Sequence, residues 1–311
     1  MPRIPLDAAS PAGESMLTGL RSSVAAQPAM MAVRNISFAR KLLEQLAMIG
    51  GGAYPALSVH SAWLRLVGVA LLGAAFARNL ELLHECMHFS ALRSRRANRV
   101  FGALLGLPML ISFEEWRQSH LRHHADVRTE FTFSFDTIDG FWQLLRCWLM
   151  LGHYRDACVK MVRSLWNGVA AQKSARMAVN REYRLMAALI TAAVIVTIVL
   201  HTRAVIWLWL LPLVVASVVN FHIQLPEHYQ CDMSSNDALR NTRTIRASCA
   251  AAWFVNNNNF HTSHHWMPAV PIARLRQLDG ELRRHVPPPH ETYPQFFGNY
   301  YLRLWKNFHA T

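Results

Sequence analysis

Three short segments of the chain are rich in histidine at a spacing that suits an α-helix. They read HECMH at residues 84–88, HLRHH at 120–124 and HTSHH at 261–265. Side chains three and four positions apart lie on one face of a helix, so each segment can point its imidazoles at one place. The histidines concerned are His84, His88, His120, His123, His124, His261, His264 and His265. Because neutral imidazole binds transition metals, the pattern predicts a metal site.

The number of histidines indicates which metal is bound. One such segment alone would more often hold hydrogen-bonded structural histidines, but three segments make a metal site the stronger interpretation. Zinc generally takes four ligands in all. Eight or nine imidazoles exceed that need and, shared between two ions, leave coordination positions open, which suits iron that binds O₂. We therefore expect two iron ions.

A ninth ligand is expected in the segment NFHIQLPEH, which holds His222 and His228. We favour His228 and interpret His222 as an interfacial residue or as a support for a ligand. Cys86 lies two residues from both His84 and His88, so it faces away from them and should pack in the interior. The other histidines lack this spacing and should be structural or surface residues: His60, His153, His201, His285, His290 and His309.

The composition is typical of a membrane protein. Of the 311 residues, 52% are hydrophobic and only 16% are charged, against roughly a quarter charged in soluble domains. The net charge of +13 would suit nucleic acid, anionic lipid or an acidic protein. No aromatic-basic RNA motif or zinc-finger spacing is present, so we expect no nucleic-acid partner. The five cysteines are scattered without a C-x-x-C pair, which argues against a thiolate metal site.

Two pairs of apolar segments predict a four-helix membrane stem. Residues 185–200 and 204–221 are uncharged and are separated by only three residues, so they predict a helical hairpin. Pro212 lies in the second run, which a membrane helix tolerates when neighbours satisfy the freed carbonyl. Residues 46–59 and 62–83 predict the other hairpin.

Arginine and lysine predict the orientation of these hairpins. The segments between and after the hairpins are rich in both, whereas the opposite turns, residues 58–61 and 201–203, hold one arginine between them. By the positive-inside rule, both termini and all three histidine segments lie on the cytoplasmic side. Residues 1–35 are expected to be a flexible cytoplasmic arm, and residues 36–311 the membrane domain. Shorter apolar runs are expected at the membrane interface: residues 100–113, 141–150 and 162–169.

With these motifs in this order, the chain resembles the membrane fatty acid desaturase and hydroxylase superfamily. The likeness runs from about residue 83 to about residue 286 and includes HECMH, HLRHHADVRTE, LPEHYQCD and NNNNFHTSHHWMP. It implies an all-α integral-membrane fold, with a four-helix transmembrane stem below a cytosolic helical cap. It also implies an all-histidine di-iron centre in that cap and electrons from a small redox protein.

Carried over by position, the resemblance implies nine iron ligands and one supporting residue. The ligands are His84, His88, His120, His123, His124, His228, His261, His264 and His265. Asn257, four residues before His261, is expected to orient that histidine through a hydrogen bond. The chain departs from the family pattern at Ser263, where Glu is common, and at Trp266, where a smaller apolar residue is common. We expect both changes to affect substrate fit or ligand support more than metal binding.

The resemblance implies an O₂-dependent desaturase that introduces a double bond into a fatty acyl or lipid-like chain. A hydroxylase or ketolase on the same scaffold is the alternative, because the histidine segments do not separate these outcomes. No haem-binding HPGG motif is present, so a separate ferredoxin or cytochrome b5-type donor with its reductase is expected. A metal carrier or sensor is a remote alternative that would need ionisable residues inside the spans. Residues 185–200 and 204–221 contain none.

Overall fold

The computed structural model is helical throughout the part of the chain that it describes, residues 11–127, 138, 140–166, 168–289 and 291–309. Among these residues, the β-type pairing is limited to one isolated bridge between Arg246 and Thr292, which confirms the all-α prediction. The α-helices are α1 (Pro11–Ala25), α2 (Pro28–Met31), α3 (Asn35–Ser58), α4 (Ala62–Met87), α5 (Arg95–Gly106), α6 (Phe113–Ala125), α7 (Phe141–Trp148), α8 (Leu151–Leu165), α9 (Arg176–Val199), α10 (Leu211–His228), α11 (Ala238–Asn241), α12 (Cys249–Phe254), α13 (His261–Trp266), α14 (Leu275–Leu282) and α15 (Tyr293–His309).

Among the residues that the structure describes, three helices are long and apolar enough to cross a membrane, judged by length and composition. They are α4, α9 and the continuous helix Ile206–His228, in which a π-helical turn leads into α10. These helices coincide with three of the four predicted spans. The fourth, α3, has 24 residues, but its charged residues, its glycines and Pro55 make it less apolar than the others. Its place in the membrane therefore stays a prediction.

α4 is the central one of these helices. It packs against α3, α10 and α5. Within its apolar window 72% of the residues are buried, against 17% for α9. α9 instead exposes apolar side chains such as Ile195 and Val199, as expected of a helix whose outer face contacts lipid. The helix that carries the first histidine segment is thus the best enclosed.

Glycines allow α4 to approach its neighbours closely. A Cβ atom on Gly68 would lie 2.6 Å from the carbonyl oxygen of Gly52 on α3. A Cβ atom on Gly73 would lie 2.4 Å from the Cβ atom of Val215 on α10. Small residues at such contacts let helix backbones pack closely in membranes. Larger side chains at these positions would push α3 and α10 away from α4.

The π-helical turn Ile206–Leu210 precedes Pro212 in the span. Proline has no amide hydrogen and would leave a carbonyl of the preceding turn without its usual donor. The N–H of Leu211 bonds to the carbonyl of Ile206, so the hydrogen-bond register is one residue wider just before the proline. The helix then continues to His228 and places that residue at its C-terminal end.

The described part of the predicted arm forms α1 and α2, which pack on the protein. Leu17, Val24 and Met30 are buried in one cluster with Trp266, next to the third histidine segment. Leu17 and Val24 are seven residues apart and so lie on one face of α1. Burial of this apolar face favours a packed helical conformation over a flexible one. The domain boundary at residue 35 stays a prediction.

The runs predicted to lie at the membrane interface fall mainly in α5, α7 and α8. Trp142 on α7 is 75% exposed and Trp166, directly after α8, is 74% exposed. Tryptophan side chains are enriched at the headgroup level of membranes, where one part of the ring is dry and the other wet. The depth of these helices in a membrane stays a prediction.

Candidate metal centre

The structure brings all nine predicted ligand histidines together at the ends of four helices. α4 ends with the first segment, and α6 carries the second. α10 contributes its last residue, and α13 carries the third segment. The nitrogen atoms form two groups, in each of which all lie within 4.8 Å of one another. The five-histidine group is His84, His88, His120, His124 and His264, and the four-histidine group is His123, His228, His261 and His265.

The five-histidine group converges on His120. The Nε2 atom of His120 lies 2.8 Å from that of His84, 2.8 Å from that of His88 and 3.0 Å from that of His124. An ion with metal–nitrogen bonds of about 2.0–2.1 Å keeps neighbouring ligand atoms about 3 Å apart. These separations therefore suit nitrogen atoms that share an ion.

The four-histidine group has the same geometry around a second point. The Nε2 atom of His123 lies 3.1 Å from that of His228 and 3.2 Å from that of His265. The Nε2 atoms of His261 and His228 are 3.0 Å apart. Because His123 belongs to one group while His120 and His124 belong to the other, α6 contributes to both. The choice of His228 over His222 agrees with this arrangement.

His264 provides a test of whether the group fits a metal. It is fully buried, and neither ring nitrogen has a hydrogen-bond partner among the residues that the structure describes. A buried polar group without a partner is costly, and native proteins rarely leave one unsatisfied. A metal ion bound within the five-histidine group would satisfy it. The donor set, which consists of imidazoles without thiolate, suits iron.

Burial keeps the histidines of the centre in the neutral form that binds metals. It lowers the pKa of His123 to about 3. It also lowers the pKa values of His120, His261 and His264 well below the ordinary value for histidine, because a charged ring loses its hydration there. At neutral pH these imidazoles are therefore unprotonated and available as ligands.

Two residues outside the groups orient histidines of the four-histidine group. The Nδ1 atom of His261 lies 3.1 Å from Oδ1 of Asn258, and the Nδ1 atom of His228 lies 2.8 Å from the carbonyl oxygen of Asn241. If each Nδ1 donates its hydrogen, each Nε2 presents a lone pair to the metal.

The prediction for Asn257 is corrected by this geometry, since Asn258 makes the contact to His261. Asn256 and Asn257 have left-handed backbone conformations, with φ of 51° and 64°. The helical spacing that placed Asn257 on the face of His261 therefore does not apply. The run of four asparagines at 256–259 was the signal in the sequence, but it did not indicate which of them makes the contact.

A buried ion pair joins the first histidine segment to α3, and an asparagine joins it to the loop before the third segment. Lys41 on α3 lies 2.7 Å from Glu85, which stands between His84 and Cys86. Asn256 donates to the same carboxylate at 3.0 Å and to the carbonyl oxygen of Glu81 at 3.1 Å. These contacts hold the end of α4 against the loop that leads into α13. Sequence reasoning missed them because the partners are far apart in the chain.

The two departures from the family pattern have partners away from the histidine nitrogens. Ser263 is buried and donates to Asp279 on α14 at 2.7 Å. Trp266 is buried next to α1, and the guanidinium of Arg21 lies 5.3 Å from its ring centroid. Cys86 is also buried in the hydrophobic core, as its position between two histidines predicts.

The remaining histidines belong to neither group, within the part of the chain that the structure describes. His222 lies 2.7 Å from the carbonyl oxygen of Val218 and 2.5 Å from the hydroxyl of Tyr301. His153 lies 2.8 Å from the carbonyl oxygen of Met109. His290 lies outside the described residues. The others are His60, His201, His285 and His309.

A cavity of about 480 Å³ borders the histidine centre and is lined by α4, α6, α8, α9, α10 and α13. His84 and His120 of the five-histidine group line it, as do His123 and His261 of the four-histidine group. A molecule in this cavity would lie beside both groups. Its volume is within the range of about 300–1,000 Å³ that is typical of small-molecule sites.

Comparison with known proteins agrees with this geometry. The model of the family described as "Fatty acid desaturase" matches residues 61–297. The chain belongs to the fatty acid desaturase family. A protein named "Fatty acid desaturase" from Bacillus subtilis (strain 168) is 30% identical over 70 residues, which cover 22% of this chain and 20% of that relative. The match covers only about a fifth of the length of this relative.

Proposed function

We propose that this chain is an integral-membrane di-iron enzyme that uses O₂ to introduce a double bond into a lipid-like chain. The observation that carries the proposal is the division of nine buried or half-buried histidines into two converging groups. Two groups of this kind suit two ions that act on one substrate. Family membership and the cavity beside both groups support the proposal.

The nine histidines would hold the iron. When bound, iron would supply the reduction of O₂ and the oxidising power that removes hydrogen from an unactivated C–H bond. The residues of the chain would keep the ligands neutral, fix their ring orientations and exclude water from the reacting carbon. Asn258 and Asn241 orient two rings, and the Lys41–Glu85 pair holds the end of α4.

Desaturation is favoured by the name of the family, and hydroxylation or ketone formation is the alternative on the same scaffold. The test is to express the chain with a reductase and donor and to compare extracted lipids by mass spectrometry. Desaturation predicts products that lack two hydrogens, whereas hydroxylation predicts a gain of oxygen. The His264→Ala variant is the control, since it should form neither product. Lipids unchanged by iron-replete wild type in a matched host would contradict the proposal.

The membrane topology belongs to the same proposal. α3 and α4 would form one hairpin and α9 and α10 the other, with the histidines in a cytoplasmic cap. The first histidine segment and His228 end α4 and α10, and the two ends meet in one centre, which supports a common side. Single cysteines in a cysteine-free background, at Arg96 and at Thr202, test this with a membrane-impermeant thiol reagent. In intact cells Thr202→Cys should react and Arg96→Cys should not, and the reverse result would contradict the topology.

A separate electron donor completes the proposal. Removing two hydrogens from a lipid supplies only half of the electrons that reduce O₂ to water, so a ferredoxin or cytochrome b5-type protein with its reductase would supply the rest. The ring of Phe89, directly after His88, lies 4.1 Å from the guanidinium of Arg117, 5.2 Å from that of Arg99 and 5.6 Å from that of Arg95. A basic cluster beside the centre suits an acidic partner.

Salt tests the donor proposal, because charge steering is screened over about 8 Å at physiological ionic strength. Turnover with a limiting acidic donor should fall as ionic strength rises from about 0.05 to 0.3 M. Arg95→Glu should raise the donor concentration needed without changing iron content. Arg155→Glu, which removes an exposed arginine paired with Asp156, is the control. Turnover independent of salt and of Arg95 would assign these arginines to the membrane surface.

A further inference from the structure

Glu81 is a buried carboxylate that the centre does not use as a ligand. It lies on α4, one turn before His84, and lines the cavity beside the histidines. Its residue is 4% exposed, and its Oε2 atom has no hydrogen-bond partner among the residues that the structure describes. It belongs to neither group of converging ligand atoms. Burial of a polar atom without a partner is unfavourable unless something else satisfies it.

Among the described residues, no cation lies within ion-pair distance of Glu81, although Arg78 attracts it from farther away. Arg78, three residues earlier, donates to Gln45 at 3.1 Å and to Glu44 at 3.3 Å. Its guanidinium also lies 4.4 Å from the ring centroid of Trp253. The hydrogen bonds of Arg78 therefore link α4 to α3.

Asn258 is the polar neighbour of Glu81 on the other side. Its side-chain amide interacts with Glu81 and also donates to Oε1 of Glu227 at 2.6 Å. The side-chain amide of Asn258 thus interacts with two carboxyl groups, and its oxygen faces the Nδ1 atom of His261. This arrangement concentrates hydrogen-bond acceptors at one end of the cavity. Such a surface is complementary to a group that donates hydrogen bonds.

We propose that Glu81 binds a hydroxyl or amino group of the substrate, so that the enzyme oxidises a lipid alcohol or amine near its polar end. The inference rests on the proposed function, because it assumes that the substrate lies in the cavity beside the centre. His84 lies three positions after Glu81 on the helix, a rise of about 4.5 Å. A group bound at Glu81 therefore places carbons only a few bonds away beside the histidines.

The other walls of the cavity fit the same substrate. Leu80, Met87, Trp116 and Met150 offer apolar surface for the chain that follows the polar group. The cavity therefore suits a molecule with a hydrogen-bond donor at its polar end and an apolar chain behind it.

The test compares two probes that differ in one hydrogen-bond donor. Iron-loaded protein in lipid nanodiscs is titrated with a long-chain primary alcohol and with the methyl ether of that alcohol, and both dissociation constants are measured. Wild type should bind the alcohol about tenfold more tightly, since leaving a buried acceptor without its hydrogen-bond donor changes affinity by about that factor. Glu81→Leu should bind the two probes equally, and Glu81→Gln, which keeps an acceptor, should retain part of the preference.

The matched control is Glu281→Gln, which removes a carboxylate that pairs with Arg284 on the exposed side of α14. This variant should keep the preference of wild type for the alcohol. Iron content should be the same in all variants. Loss of iron in both Glu81 variants would assign Glu81 to the metal centre and overturn the inference.

The binding of the two probes to wild type tests the inference without any variant. Equal binding of the alcohol and the ether by wild type would overturn the inference, even if both probes are oxidised. Oxidation of the alcohol far from its hydroxyl would overturn it too. Preferential binding of the alcohol, with no oxidation in a complete donor system, would support the binding site and contradict the proposed function.

Discussion

The two histidine groups differ in what holds their rings. In the four-histidine group, Asn258 and the carbonyl of Asn241 face the Nδ1 atoms of His261 and His228. In the five-histidine group, the Nδ1 atom of His124 and both ring nitrogens of His264 have no hydrogen-bond partner among the described residues. Hydrogen bonds behind a ligand fix its orientation before the metal binds. The four-histidine group is therefore oriented in part by the protein, whereas the five-histidine group would rely more on a bound ion.

The largest expected effect comes from removing one ligand from each group. His124→Ala and His265→Ala should each reduce turnover more than about a hundredfold. Losing a ligand should lower activity more than losing a residue that only hydrogen-bonds to a ligand. Membrane insertion should be unchanged, since neither residue lies in a spanning helix. Product formation is measured with saturating donor.

The control for these variants is His309→Ala, which lies in neither group and should keep nearly full turnover. Full activity in either ligand variant would show that the corresponding group is not needed for catalysis.

A smaller effect should separate the two groups. Asn258→Ala should weaken the hold of the four-histidine group on its ion by about 10- to 100-fold, so dialysis should remove about one iron per chain sooner than the other. Asn257→Gly is the matched control, because glycine adopts the left-handed conformation of Asn257 without strain. Two results would contradict the proposed difference between the groups. One is equal iron loss from Asn258→Ala and Asn257→Gly, and the other is loss of both irons at the same rate from Asn258→Ala.

The smallest expected effect is on the stability of iron-free protein in acid. Burial lowers the pKa of His123 to about 3, while the unfolded chain keeps a value of about 6.5. The unfolded state then binds more protons between these values, so the free energy of unfolding falls as pH falls below about 6.5. His123 alone should contribute a loss of about 2 kcal/mol between pH 7 and 5.

Thermal unfolding of the iron-free protein at several pH values measures this effect. His123→Ala should show a weaker dependence on pH than wild type. A melting temperature of the iron-free protein that does not change between pH 7 and 5 would contradict the burial of neutral rings in the absence of metal.

The sequence predicted which histidines converge because their positions follow local helical spacing. His120, His123 and His124 are arranged by one helix, so the regular repeat of that helix suffices to indicate that they point toward a metal centre. The structure adds that α6 divides them between two groups. That division depends on where α4, α10 and α13 meet, which spacing within a segment does not specify.

The parts that the sequence did not predict depend on irregular backbone or on distant partners. Asn258 reaches His261 only because left-handed residues precede it. Lys41 meets Glu85 across 44 positions of the chain. Leu17 and Val24 were too few to indicate that the arm packs beside Trp266. Each of these contacts depends on how helices pack and not on the pattern within one of them.

The iron content of active protein tests the central claim most directly. Protein purified from iron-replete cells is analysed for metals, and the same preparation is assayed for O₂-dependent lipid oxidation. The two histidine groups predict about two irons per chain in fully active protein, with activity that rises in proportion to the second iron. Full activity with one metal ion per chain, or with zinc alone, would contradict a di-iron centre.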